Sequence, residues 1–141
     1  MDIKNKLLEY EHKLVNAEKH TFFRNDWQQT FPNYSGVYVI WEKELPIYVG
    51  ETSGLKSRML DIMRPINHAF TKKISNKFKL SDLKKLREFM SINYKLSYIT
   101  VDLGRSEIEE YLILRWRQTL INKPTTRLLK GEQYSWVKAI Q

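Results

Sequence analysis

Gly36-Val37-Tyr38-Val39-Ile40-Trp41-Glu42-Lys43-Glu44-Leu45-Pro46-Ile47-Tyr48-Val49-Gly50 decides the fold of this chain. Val37-Tyr38-Val39-Ile40-Trp41 is β-branched and aromatic, the composition of a strand, and residues 45–50 form a second apolar run. Glu42-Lys43-Glu44 between them has the length of a hairpin loop. Pairing Trp41 with Leu45 would set Tyr38 directly opposite Tyr48. Side chains alternate along a strand, so both phenols would then project from one face, together with Gly36, Ile40 and Gly50. Val37, Val39, Ile47 and Val49 would line the other face. A slip of one residue would separate the phenols, so this register is the main structural expectation.

The rest of the chain divides around the hairpin. From residue 3 to about residue 19, Ile3, Leu7, Leu8, Tyr10, Leu14, Val15 and Ala17 recur at helical spacing, which predicts an amphipathic helix. His12 and His20, on it or just after it, read as exposed or packed. A polar stretch with Pro32 and Asn33 leads to the first strand. After the hairpin, Thr52-Ser53-Gly54 predicts a turn. Residues 55–63 then read as a helix that carries Lys56 and Arg58 and stops before Pro65. Residues 67–79 and 81–90 read as two basic helices, the second starting at Ser81-Asp82. Residues 95–101 read as a third strand. Gly104 turns the chain and Ser106 reads as a cap. Residues 107–120 then form a long helix bearing Ile108, Leu112, Ile113, Trp116 and Leu120, ended before Pro124. Tyr134, Trp136 and Val137 predict a tail that packs. With no repeat, low-complexity run or linker, the expectation is one α+β domain. It would hold three strands, the first two a hairpin, among helices, with an added N-terminal helix.

Composition narrows the function. At 141 residues and 42% hydrophobic, the chain is long and apolar enough for a real core. It has no run of 18 apolar residues, so no membrane span is expected, and its N-terminus lacks the apolar stretch of a signal peptide. The absence of cysteine rules out disulfides, thiolate metal sites and cysteine nucleophiles, and makes a reducing cytoplasm the simplest compartment. The formal net charge is +8, and between Lys56 and Lys95 there are 11 basic residues against 3 acidic ones. The remaining 13 basic and 13 acidic residues cancel, so the whole excess lies in one segment. Such a concentration suits a surface that meets a polyanion, with Lys72, Lys73, Lys77 and Lys79 as DNA-binding candidates.

The half-motifs Gly36-Val37-Tyr38 and Tyr48-Val49-Gly50 are followed by Arg58, by Ile108-Glu109-Glu110-Tyr111-Leu112-Ile113 and by Asn122. Together they resemble the GIY-YIG nuclease superfamily over roughly residues 35–124. That superfamily includes homing endonucleases, some type II restriction enzymes and the incision nuclease of bacterial excision repair, on a small three-stranded sheet flanked by helices. The resemblance divides the single domain of 1–141 into an N-terminal extension (1–34), a nuclease core (35–124) and a packing tail (125–141). It implies Tyr38 as base or water-positioning group, and Tyr48 as its assistant or a phosphate contact. Arg58 would stabilise transition-state charge, a helix glutamate would bind one divalent ion, Mg²⁺ or Mn²⁺, and Asn122 would orient nearby groups.

These residue types suit phosphodiester hydrolysis, which needs an activated water, neutralisation of the pentavalent phosphate and stabilisation of the leaving oxygen. A carboxylate suits a hard divalent cation. The arginine fork suits phosphate oxygens. A phenol, with an ordinary pKa near 10, needs nearby cations or a relay to act as a base at neutral pH. The metal carboxylate has two candidates. Glu109 matches the local apolar-Glu-x-x-Leu-Ile pattern and shares a face with Ile113 and Trp116, but Ser106-Glu107-Ile108-Glu109 also reads as a capping box. Glu110 lies twelve residues before Asn122, the commoner family interval. The face constraint favours Glu109, with Glu110 the alternative.

The chain departs from the family at Ile62, where several members carry Tyr or His one turn after the arginine, and at Glu51, where the excision-repair nuclease has Lys. His68 could supply the missing acid–base group or a phosphate contact, or simply start a helix, and Lys56 is a further phosphate-contact candidate. The expected activity is a divalent-metal-dependent DNA endonuclease, restriction-type or structure-dependent, with RNA left open as a substrate. Type II cutting of both strands would suggest a homodimer or transient pairing. The alternative is a nucleic-acid-binding module on the same scaffold with weak or lost catalysis.

Overall fold

A computed structural model describes residues 2–24 and 26–140. Four strands form one antiparallel sheet: β1 (His20–Thr21), β2 (Gly36–Glu42), β3 (Leu45–Thr52) and β4 (Lys95–Thr100), in the order β1-β4-β2-β3. The expected three-stranded sheet thus gains a short fourth strand, because His20 and Thr21 pair with Leu96 and Lys95 along the edge of β4. Two residues carry too little alternation to announce a strand in sequence.

The hairpin register departs from the expected one. At the turn Glu42 pairs with Leu45 and Trp41 with Pro46, leaving a loop of only Lys43 and Glu44. Continued unchanged, that pairing would put Tyr38 opposite Val49 and turn Tyr48 onto the valine face. A bulge intervenes: Ile47 is the extra residue on β3, so that Ile40 meets Tyr48 and Tyr38 meets Gly50. The phenols share a face as expected, but they are offset along the strands instead of directly opposed. Ile47 itself joins the core on the tyrosine side, where simple alternation had put it with the valines.

Both faces of the sheet are covered. On the valine face, Val37, Val39, Trp41 and Val49 pack against Leu7 and Leu14 of α1 (Ile3–Asn16) and against Ile108, Tyr111 and Leu112 of α6 (Arg105–Arg115). Tyr134 and Val137 of the tail close this layer, beyond the short helix α7 (Thr126–Lys130). On the tyrosine face, Tyr38, Ile40 and Leu96 meet Trp27 of α2 (Trp27–Thr30) and Leu55 and Met59 of α3 (Leu55–Asp61). Phe70 and Ile74 of α4 (Ala69–Lys77) and Leu86 and Met90 of α5 (Leu83–Asn93) complete it. With helices on both sides, β2 is buried along its length except at Glu42, so its continuous apolar run reflects a central strand.

Helix starts follow local chemistry. Asp82 caps α5, accepting from the amides of Lys84 (2.9 Å) and Lys85 (3.4 Å). The long helix α6 starts earlier than expected, behind Gly104 at φ +88°, without a side-chain cap. Ser106 therefore lies inside the helix and is not its cap. The helix also stops at Arg115, short of the expected residue 120. Beyond it the chain runs along the free edge of β3, where the Ile121 amide donates to the Ile47 carbonyl (2.7 Å) and the Thr119 hydroxyl to the Pro46 carbonyl (2.6 Å). An edge strand covered in this way presents fewer unpaired backbone groups for association. Among the described residues, no helix is long and apolar enough to cross a membrane.

Candidate active site

Tyr38 stands at the middle of the central strand and is almost completely buried, at 1% exposure. Tyr48 on β3 lies beside it with its ring centroid 6.4 Å away and the planes inclined by 27°. Gly50 makes this possible. The Tyr38 phenol crosses directly over it, and a Cβ at position 50 would overlap the ring and its hydroxyl. Gly36 faces an equivalent constraint from the Ile99 carbonyl and the Leu55 side chain. Both motif glycines are therefore required by close approach, not by an unusual backbone angle.

Arg58, on the last turn of α3, brings its half-buried guanidinium beside the phenols. Its Nη1 donates to the Asn67 carbonyl (3.2 Å) and to Asp61 Oδ2 (3.4 Å). Burial works against the arginine charge, but the two phenols and Asp61 outweigh it and hold the group firmly protonated. Burial pushes the Tyr38 phenol far above its ordinary range, Tyr48 adds to this and Arg58 opposes it. Tyr48 is raised in the same way, by burial first, with Arg58 again opposing. Both phenols thus remain protonated at neutral pH in the protein alone.

The two glutamates separate cleanly. Glu109 is half-buried, and its charge acts on both Tyr38 and Tyr48. Its carboxyl is raised to about 7, by burial first and then by the neighbouring Glu51 and Glu110. Glu110 turns the other way and accepts from the Tyr134 hydroxyl (3.2 Å) in the tail. Since Gly104 starts the helix, Glu109 is free of the capping role its sequence pattern suggested. Glu51 is held by Arg105, whose Nε donates to Oε2 at 2.5 Å. In sequence Glu51 stands out only as a departure from the family, because nothing local links it to a helix more than fifty residues away.

Asn122 lies on the β3 edge. Its Nδ2 donates to the Val49 carbonyl (2.6 Å) and its Oδ1 accepts from the Val49 amide (3.3 Å). It is not the helix C-cap that its position before Pro124 also allowed. Ile62 is fully buried, and His68 comes to Tyr38 instead, with Nε2 2.8 Å from the phenol oxygen. Lys56 is exposed on α3. Lys72, Lys73 and Lys77 are exposed on α4, the helix that His68 caps, and Lys79 follows just beyond it.

Of the two candidate metal carboxylates, Glu109 is the one near the phenols. Glu109 offers a single carboxylate, and no group of three or more His, Cys, Asp and Glu gathers among the described residues. Mg²⁺ is commonly held by one or two carboxylates, with water and substrate phosphates filling its other positions.

No protein-family model matches the chain, and no curated protein matches it. Among solved structures, it is similar to the N-terminal GIY-YIG endonuclease domain of UvrC from Thermotoga maritima. A tyrosine-to-phenylalanine point mutant of that domain, bound to its catalytic divalent cation, is 19% identical with a TM-score of 0.44, covering 67% of this chain and 93% of that chain. The magnesium-bound form is 19% identical with a TM-score of 0.41, covering 77% of this chain and 91% of that one.

Proposed function

We propose that this chain is a divalent-metal-dependent endonuclease that hydrolyses DNA phosphodiester bonds. One observation carries the reading: a buried and a half-buried phenol, an arginine and a half-buried carboxylate, from two strands and two helices, converge beside the start of a lysine-bearing helix. A core built for stability alone gains little by clustering these groups, because burying polar and charged side chains costs free energy. The sequence motif they form, resembling the GIY-YIG superfamily, supports the same reading.

In this proposal Arg58 neutralises charge on the phosphate as it becomes pentavalent. Tyr48 donates to a phosphate oxygen. Tyr38, kept protonated by burial, orients the attacking water by hydrogen bonding. Glu109 would hold Mg²⁺ or Mn²⁺, an ion that would supply Lewis-acid charge stabilisation at the phosphate. Asn122 positions Tyr48 and Gly50 by fixing Val49 between them. Lys72, Lys73, Lys77 and Lys79, with Lys56, provide the phosphate-backbone contacts.

The test is nicking of supercoiled plasmid with Mg²⁺ or Mn²⁺, and its arrest by EDTA. Tyr38→Phe, Arg58→Ala and Glu109→Ala should each bind DNA and cut poorly. DNA binding without nicking in any divalent metal would sink the enzyme and favour a binding module on the same scaffold. Discrete fragments would indicate sequence-specific cutting, and random nicks a structure-dependent or weakly specific enzyme.

A further inference from the structure

His68 is the only one of the three histidines in the chain that is buried, at 2% exposure, and it bridges two partners. It caps α4 from the side chain, with Nδ1 accepting the Phe70 amide proton at 3.1 Å. The amide can only donate, so Nδ1 carries no proton. Burial, reinforced by the Arg58 charge, lowers the imidazolium pKa to about 3, so the ring is neutral near pH 7. A neutral imidazole with a bare Nδ1 carries its proton on Nε2. That nitrogen lies 2.8 Å from Tyr38 Oη.

We infer that His68 is a positioning residue that donates its Nε2 proton to the Tyr38 oxygen, and is not the base that deprotonates Tyr38. This rests on the nuclease reading above and deepens it. Nε2 already holds its proton and cannot receive one from the phenol. The Tyr38 oxygen accepts from His68, so its own O–H must point elsewhere, to water or phosphate. The Phe70 amide fixes the tautomer and His68 fixes the phenol, so the start of α4 sets the direction of the Tyr38 proton. The fixed donor also favours any negative charge that develops on the phenol oxygen.

The deciding measurement is ¹⁵N NMR of the imidazole in the full-length wild-type protein, which identifies the protonated nitrogen without relying on activity. The expected spectrum is a neutral Nε2–H tautomer that does not titrate between pH 5 and 8. An Nδ1–H tautomer, or titration near the ordinary histidine pKa of about 6.5, would overturn the inference. For cleavage, His68→Leu should lower kcat by about tenfold, the worth of one hydrogen bond in a transition state, with KM little changed. His68→Gln, which can still donate, should recover most of that loss. The wild-type pH profile should lack a histidine limb near pH 6.5. Wild-type kcat in His68→Leu, or such a limb that His68→Gln abolishes, would also overturn it. Failure of the wild type to nick DNA would instead remove the nuclease reading, a failure that the tautomer measurement does not share.

Discussion

Asn122 completes the sheet beside Val49 as a further strand would, giving one hydrogen bond to its carbonyl and taking one from its amide. Val49 lies between Tyr48 and Gly50, so this side-chain amide sets the height of the second half-motif. Asn122→Ala removes both bonds and should cost about 1–3 kcal/mol in urea unfolding. It should also slow cleavage while leaving DNA affinity nearly unchanged. Unchanged stability would remove the strand-pairing role.

Gly50 and Tyr38 occupy each other's space. Gly50→Ala should destabilise the fold by about 1–3 kcal/mol through overpacking. The same change made in a Tyr38→Ala background should cost much less. A double-mutant cycle with no coupling energy would show that the phenol does not lie over Gly50 in solution.

Glu109 and Glu110 are neighbours in sequence with opposite surroundings. Glu109→Gln should cut the cleavage rate by roughly 10²–10³-fold, on the scale of losing one transition-state electrostatic interaction. Glu110→Ala should leave the rate near wild type but lower stability by about 0.5–1.5 kcal/mol, because the Tyr134 hydroxyl loses its acceptor. The reverse pattern would move the metal to Glu110.

His68 links stability to pH. Its folded pKa is lowered to about 3, well below the ordinary histidine value. Between these two values the unfolded chain takes up a proton that the folded protein refuses. The contribution is therefore fully present above about pH 6.5 and is lost as pH falls toward 3. The urea midpoint of the wild type should drop over this window, and that of His68→Gln should drop less. Equal slopes would mean that the ring is charged in the fold.

The lysines of α4 should act through phosphates. Replacing Lys72, Lys73 and Lys77 together by alanine should weaken binding to all duplex sequences alike. It should also flatten the dependence of log K on log salt by about 0.9 for each phosphate that is no longer neutralised. An unchanged slope would move the DNA path off this helix.

What could be read in sequence was whatever local pattern determines. The alternation of Val37-Tyr38-Val39-Ile40 gave a strand, and the interval between Tyr38 and Tyr48 gave a shared face. Asp82 gave a helix start that the structure bears out. What could not be read depended on contacts distant in the chain. The pairing of His20 and Thr21 with β4 needs β4 to be in place. The end of α6 at Arg115 is tied to the attachment of residues 119–122 along β3. The approach of His68 to Tyr38 joins a loop-end side chain to the central strand across thirty residues. The Glu51–Arg105 ion pair is longer-ranged still.

The bulge at Ile47 gives the hairpin a parity. A two-residue turn fixes an odd register at the loop, and one extra residue makes it even where the tyrosines stand. A single deletion between Tyr38 and Tyr48 that left the bulge in place would reverse that parity and send one phenol through the sheet into the valine layer. Paired changes would slide the phenols past one another and still leave them on the same side. Length variation in this hairpin should therefore be tolerated in twos, or in ones that gain or lose a bulge, a constraint on its evolution that no single position displays.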